Sequence, residues 1–260
     1  MTPGHRVMGR CQPMSSERTI KLRHVVPSIV TVFALCAGLT SVRMSLEGHL
    51  ETALAFILIA VFLDAADGKL ARFLDTASPF GAELDTLADF FNFGIAPGFL
   101  LYNTLYIGTP AANLGWLAAL VLAVCCALRL ARFNLSMKDT TVALAKDNFF
   151  VGVPAPALAC LALMPIFIHL SGWKHLDYPL VRTLYIIGVG FLAVSTIPTY
   201  SVKHASIKRK HLAIAIVGAV VMVVCLMSYP WPTLMAINLL YLITLPFSYR
   251  AQKRQIANES

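Results

Sequence analysis

The sequence predicts an all-α membrane protein that crosses the bilayer about eight times. Hydrophobic residues make up 58% of the 260 residues and charged residues only 13%, about half the charged share that is usual in soluble domains. Apolar runs close to the length of about 20 residues that a spanning helix needs recur almost from end to end. Each run is predicted to be helical because a bilayer offers no water to unpaired backbone groups.

The predicted spans form one transmembrane domain, residues 25–249. An N-terminal segment, 1–24, which contains a candidate interfacial helix, precedes it, and a tail, 250–260, follows it. A count of seven spans is the alternative if the hairpin at 228–232 does not cross the bilayer fully. The eight predicted spans are 25–42, 50–70, 81–106, 113–134, 151–170, 180–200, 211–229 and 231–249.

The basic residues predict the orientation of these spans. With eight spans, all but three of the 21 Lys and Arg residues lie on the side that holds both termini; the exceptions are Arg43, Lys174 and Arg182. Positive charge accumulates in cytoplasmic loops, so we expect both termini in the cytoplasm and the protein in the inner membrane. The net charge of +8 is spread over all of these loops. This distribution indicates contact with membrane lipids rather than binding of nucleic acid.

Acidic residues are concentrated around the connection between the second and third spans, where residues 64–89 hold six of the 13 Asp and Glu residues. Asp64 and Asp67 are three residues apart and Asp85 and Asp89 four apart, so each pair shares a helix face. A short connection predicts neighbouring antiparallel helices, which brings the four carboxylates together at the cytoplasmic end. Such a group needs a counter-charge, and all-oxygen ligands favour Mg²⁺ or Mn²⁺, with Ca²⁺ as a further candidate.

Small residues and one arginine accompany these acids. Gly68 and Ala71 flank Asp67, and Gly81 lies one turn before Asp85. In membrane helices such residues indicate close helix packing, or here the approach of a phosphate or a flat ring to the backbone. Arg72 follows Gly68 by one turn and suits either a salt bridge to the acids or a contact with phosphate oxygens.

Residues 64–89 read Asp-x2-Asp-Gly-x2-Ala-Arg-x8-Gly-x3-Asp-x3-Asp, which resembles the signature of the CDP-alcohol phosphatidyltransferases at every fixed position. The resemblance implies a homodimer in the membrane and a site for two divalent metals. It implies that Asp89 is also the general base for the acceptor hydroxyl. The metal ligands that it implies are Asp64, Asp67, Asp85 and Asp89. The residues that it implies for contact with the cytidine and the phosphates are Gly68, Ala71, Arg72 and Gly81.

Three further segments, 80–97, 128–134 and 150–156, are similar to bacterial and archaeal members of the family that use serine. This similarity implies CDP-diacylglycerol as donor and L-serine as acceptor, with phosphatidylserine and CMP as products. Within the second segment, Arg129 and Arg132 share one helix face at the end of the fourth span. They either bind the substrate phosphate or the serine carboxylate, or anchor the helix at the interface. Glycerol phosphate, inositol phosphate and choline stay open as alternative acceptors.

The predicted reaction is a direct displacement of CMP by the acceptor hydroxyl, assisted by two metals. An ion or proton transporter is the alternative from another class, because it too places acids within a membrane. Transporters tend to hold their sites near the midplane, between repeated halves. Here the acids cluster once, at one mouth, so the pattern favours the transferase.

Overall fold

A computed structural model of the chain describes residues 25–73, 78–138, 149–173, 178–195, 198–200 and 212–259. This part is predominantly helical, which confirms the predicted all-α class. The candidate interfacial helix of segment 1–24 lies outside the described residues.

The described residues form ten α-helices, one π-helical turn and one pair of short strands. The first five helices are α1 (Val25–Leu46), α2 (Leu50–Phe73), α3 (Pro79–Phe90), α4 (Ala96–Leu105) and α5 (Ala112–Lys138). The remaining helices are α6 (Ala155–Ala162), α7 (Met164–Leu170), α8 (Pro179–Val194), α9 (Leu212–Ser228) and α10 (Pro230–Glu259). The strands are β1 (Phe149–Val151) and β2 (Pro198–Tyr200).

The third predicted span is a continuous helical segment that contains a wider turn. A π-helical turn, Phe91–Ile95, connects α3 to α4, and the amide of Ala96 bonds to the carbonyl oxygen of Phe91. Pro97 follows directly and has no N–H with which to continue the α-helical pattern. At the other end, Ser78 caps α3 by accepting a hydrogen bond of 3.0 Å from the amide of Gly81. The span therefore begins at a defined cap and changes its helical phase just after Asp89.

The predicted end of the sixth span is wrong. The sixth span was expected to reach residue 200, but α8 ends at Val194 and Ser195 is extended. Pro198 begins β2, which pairs antiparallel with β1 so that Phe149 lies opposite Tyr200. This pairing requires extended backbone at residues 198–200, so a helix cannot continue through them. The helix α10 continues to residue 259, past the predicted end of the eighth span at residue 249, and this end of the span stays a prediction.

Two of the described helices have the length and composition of membrane spans, and three shorter helices are apolar. Val26–Leu46 and Ala112–Ser136 are long and apolar enough to cross a bilayer, and shorter apolar helices occupy Ala155–Leu170, Pro179–Val194 and Ile216–Ser228. Large apolar side chains such as Phe33, Leu184 and Val217 are exposed on their outer faces, as expected of a surface covered by lipid. These features support a membrane protein, and the number of eight spans stays a prediction.

The buried core lies between α2, α4, α5, α6, α7 and α8. Its fully buried side chains include Ile57, Phe93, Leu100, Leu122 and Leu158. The helix α1 packs along α2 and also contacts α3 and α4. The backbone of α1 thus contacts both of the helices that carry the predicted acidic site.

An alanine at Gly38 should destabilise the protein. Its Cβ would lie 2.0 Å from Oδ1 of Asn92, a buried residue of the π-helical turn, and overpacking a core typically costs about 1–3 kcal/mol. We expect a lower midpoint of thermal unfolding in detergent micelles. Gly188→Ala is the control, because a Cβ there meets nothing within 4 Å and alanine favours a helix. Equal midpoints for the two variants would contradict this account of the contact between α1 and the π-helical turn.

Candidate metal centre

Three of the four predicted carboxylates meet at the end of α2 and on α3. Asp64 and Asp67 come from the last turns of α2, and Asp85 comes from the second turn of α3. One carboxylate oxygen from each of the three residues lies within 4.8 Å of the other two. Asp67 is buried, and the other two side chains are half-buried.

Asp89 lies beside this group, one turn after Asp85 on α3. Its carboxyl group is within hydrogen-bonding reach of the carboxyl group of Asp64. Two carboxyl groups approach this closely when they share a proton or a cation, because two bare negative charges would repel each other. The structure therefore brings all four predicted acids into one group, which we call the carboxylate cluster.

A threonine of α1, which the sequence pattern did not identify, contacts the cluster. The Oγ1 of Thr31 donates a hydrogen bond of 2.8 Å to Oδ2 of Asp67 and lies 3.1 Å from the carbonyl oxygen of Pro27. Thr31 is buried. This bond helps to fix the orientation of the Asp67 carboxylate, as partners of metal ligands commonly do. No spacing in the sequence distinguishes Thr31 from any other threonine in an apolar span.

The two glycines of the pattern have different surroundings. A Cβ at Gly68 would meet nothing within 4 Å, so this side of α2 borders open space. A Cβ at Gly81 would lie 3.0 Å from Oγ of Ser78 and 3.5 Å from Oγ of Ser28, so Gly81 lets the start of α3 pack closely against α1. Ala71 and Arg72 occupy the last turn of α2, and their side chains lie outside the described part of the structure.

The two arginines of α5 hold neighbouring segments of the chain. The Nε of Arg129 donates to the carbonyl oxygen of Val153. The two terminal nitrogens of Arg132 donate to the carbonyl oxygens of Val194 and Ser195, at 2.6 and 3.1 Å. Arg129 also interacts electrostatically with the carboxylates of the cluster. The structure thus places Arg129 beside the cluster and uses Arg132 to hold the end of α8.

The cluster fits a hard divalent cation. Its donors are carboxylate oxygens only, which suit Mg²⁺, Mn²⁺ or Ca²⁺ better than zinc. Three of these oxygens already lie close enough together to contact one ion. Arg129 balances part of the negative charge and leaves the remainder to a cation.

Comparison with known proteins then decides the family. The family model described as CDP-alcohol phosphatidyltransferase matches residues 24–193. The chain belongs to this family. It is therefore a membrane-associated transferase of phospholipid biosynthesis, and its family uses divalent metals. The matched range contains all ten residues predicted for the site and ends before α9 and α10.

Individual relatives are similar over most of the chain. The CDP-diacylglycerol–serine O-phosphatidyltransferase of Mycobacterium leprae is 36% identical over 241 residues, which cover 92% of this chain and 78% of that protein. The enzyme of the same name from Mycobacterium tuberculosis is 34% identical, over 88% of this chain and 79% of that protein. The one from Bacillus subtilis is 32% identical, over 70% of this chain and 93% of that protein.

Replacing Thr31 by valine should weaken metal binding. Thr31→Val keeps the shape of the side chain and removes the hydroxyl that fixes Asp67, and losing such a partner typically costs about 10- to 100-fold in metal affinity. Titration of the purified protein with Mn²⁺, followed by electron paramagnetic resonance, measures this affinity without catalysis. Thr31→Ser keeps the hydroxyl and should bind Mn²⁺ like the unmodified protein. An unchanged affinity in the valine variant would show that Thr31 does not position Asp67.

Proposed function

We propose that the protein transfers the phosphatidyl group of CDP-diacylglycerol to the hydroxyl of L-serine and releases CMP. The carboxylate cluster, with three ligand oxygens within 4.8 Å of one another beside Arg129, is the observation that carries the proposal. The names of the similar proteins from Mycobacterium and Bacillus support serine as the acceptor. Membership of a transferase family argues against the alternative of an ion transporter.

In the proposed reaction the oxygen of the serine hydroxyl forms a bond to the phosphorus that carries the diacylglycerol. The bond between this phosphorus and the oxygen that bridges to CMP breaks, and CMP leaves with the electron pair. The hydroxyl proton passes to a carboxylate oxygen of Asp89. The proposed role of Asp89 as the base is supported by its position at the edge of the cluster, beside both Asp64 and Arg129.

Two divalent cations, Mg²⁺ or Mn²⁺, are assigned to the cluster formed by Asp64, Asp67, Asp85 and Asp89. When bound, they supply positive charge for the diphosphate and the leaving CMP. The chain itself positions these ligands through Thr31 and through the packing of α1 on α2 and α3. Such prior positioning contributes to catalysis because little reorganisation remains for the reaction itself.

The residues proposed for substrate contact differ in the support they have. The open space at Gly68 supports approach of the cytidine diphosphate there, with Ala71 and Arg72 one turn further along α2. The position of Arg129 beside the cluster supports contact with a substrate anion. Contacts with substrate are also proposed for Gly81 and Arg132. Their surroundings in the structure support a packing role for both residues.

The proposed location is the inner membrane, with both termini and the cluster on the cytoplasmic side. The distribution of Lys and Arg supports this orientation, which gives the soluble acceptor and CMP direct access to the cluster. A homodimer within the membrane is proposed from family membership alone.

The proposed activity predicts release of CMP that depends on serine and on metal. Purified protein with CDP-diacylglycerol should release CMP with serine, and not with glycerol phosphate, inositol phosphate or choline, and a chelator should abolish the release. Asp89→Asn should lower kcat by about 10²-fold or more, because an amide neither accepts the proton nor carries the charge. Glu51→Gln, at the other end of α2 and exposed, is the control. If CMP were released only with another acceptor, that acceptor would replace serine in the proposed reaction. If no acceptor gave release, the proposal would be overturned.

A larger side chain at Gly68 should weaken the binding of CDP-diacylglycerol. Gly68→Leu enters the open space beside α2, so it should leave the thermal midpoint unchanged and raise the KM for CDP-diacylglycerol about tenfold or more. Gly188→Leu carries the same change on α8, where a Cβ also meets nothing within 4 Å. An unchanged KM in the Gly68 variant would place the donor elsewhere.

A further inference from the structure

A tyrosine of the last helix extends the site beyond the part of the chain that the family model matches. Tyr241 lies on α10, and its ring packs against the buried core. Its hydroxyl oxygen is buried and has no hydrogen-bond partner among the described residues. Tyr241 also interacts electrostatically with Arg129 of α5.

A buried hydroxyl without a partner is an unfavourable arrangement, since it loses its bonds to water and gains none in return. Most buried polar groups in native proteins are paired, so an exception calls for a functional explanation. A phenylalanine would pack its ring in the same way at no such cost. The hydroxyl of Tyr241 is therefore explained by a partner that arrives with a substrate.

The neighbouring charges indicate what that partner is. Arg129 is held by its Nε through the carbonyl oxygen of Val153, and its two terminal nitrogens take no part in this bond. A guanidinium and a phenolic O–H are both donors, and together they suit a group with two anionic oxygens. A carboxylate and a phosphate both have this chemistry.

The position of Arg129 beside Asp89 favours the carboxylate of the acceptor. In serine the carboxylate is separated from the hydroxyl by only two carbon atoms. If the hydroxyl reaches Asp89, the carboxylate falls within a few ångströms of it, where Arg129 is located. In the proposed reaction the diphosphate of the donor binds instead at the carboxylate cluster, where the cations would be held.

We infer that Tyr241 Oη and the guanidinium of Arg129 form a subsite for the anionic oxygens of a substrate, and that they bind the carboxylate of the amino-acid acceptor. This inference rests on the proposed function. It makes Tyr241 a residue of acceptor specificity, supplied by a helix outside the matched range. A site built to hydrogen-bond a substrate group discriminates against analogues that lack the group, because its own polar atoms are then left unpaired.

The test measures the KM of each substrate separately in Tyr241→Phe. We expect the KM for serine to rise about tenfold, as for loss of one hydrogen bond to a charged group, while kcat and the KM for CDP-diacylglycerol change less than about twofold. Ethanolamine, which lacks the carboxyl group altogether, should bind the variant and the unmodified protein equally. The preference for serine over ethanolamine should therefore fall about tenfold in the variant.

Tyr185→Phe is the matched control, because it removes a partly buried tyrosine hydroxyl that is already paired and donates to the carbonyl oxygen of Leu161 at 2.9 Å. It should leave the KM for serine unchanged. If Tyr241→Phe cannot be purified in folded form, Tyr241→Met is the second variant, since methionine fills irregular space without a donor, and the same change in KM is expected.

Three outcomes would overturn the inference: an unchanged KM for serine, a loss confined to kcat, or a rise in the KM for CDP-diacylglycerol instead. The third would assign the hydroxyl to the donor phosphate. A failure of the proposed function is distinguishable, because the unmodified protein would then form no phosphatidylserine at all.

Discussion

The mutual repulsion of four carboxyl groups at α2 and α3 is the constraint on which the rest of the structure depends. Asp64, Asp67 and Asp85 present oxygens within 4.8 Å of one another, an arrangement that opposes folding unless other groups hold and neutralise it. The hydrogen bond from Thr31 and the charge of Arg129 each meet part of this need. The apolar core of α4 to α8 then supplies the stability that the cluster itself does not.

The helix α5 connects the cluster to segments far along the chain. Arg129 holds the carbonyl oxygen of Val153, and Arg132 holds the chain just after α8. Directly before Val153 the chain turns at Gly152, where φ is +86° and a Cβ would lie 2.9 Å from the carbonyl oxygen of Ala193. Only glycine combines this backbone conformation with so close an approach. The two arginines therefore contribute to the shape of the site through the backbone, whether or not they also contact substrate.

The sequence predicted the cluster because helical spacing alone decides which acids share a face, and the short connection between α2 and α3 decides which faces meet. It also predicted the starts of most helices, since apolar runs and prolines determine them. Thr31 and Tyr241 were not predictable in this way. Their roles arise from packing between helices that are distant in sequence, and nothing in their local sequence differs from an ordinary apolar span. The early end of α8 was not predictable either, because the pairing of β1 with β2 depends on the tertiary fold.

The surroundings of the cluster combine two properties that seldom occur together. The helices that carry its carboxylates also expose large apolar side chains, Phe73 at the end of α2 and Phe80 and Leu87 on α3. In a bilayer these side chains contact acyl chains. A substrate with a charged diphosphate and two acyl chains needs both environments at once. The side of α2 at Gly68, directly after Asp67, borders open space. The division of polar and apolar groups along α2 and α3 thus follows the division within a lipid donor.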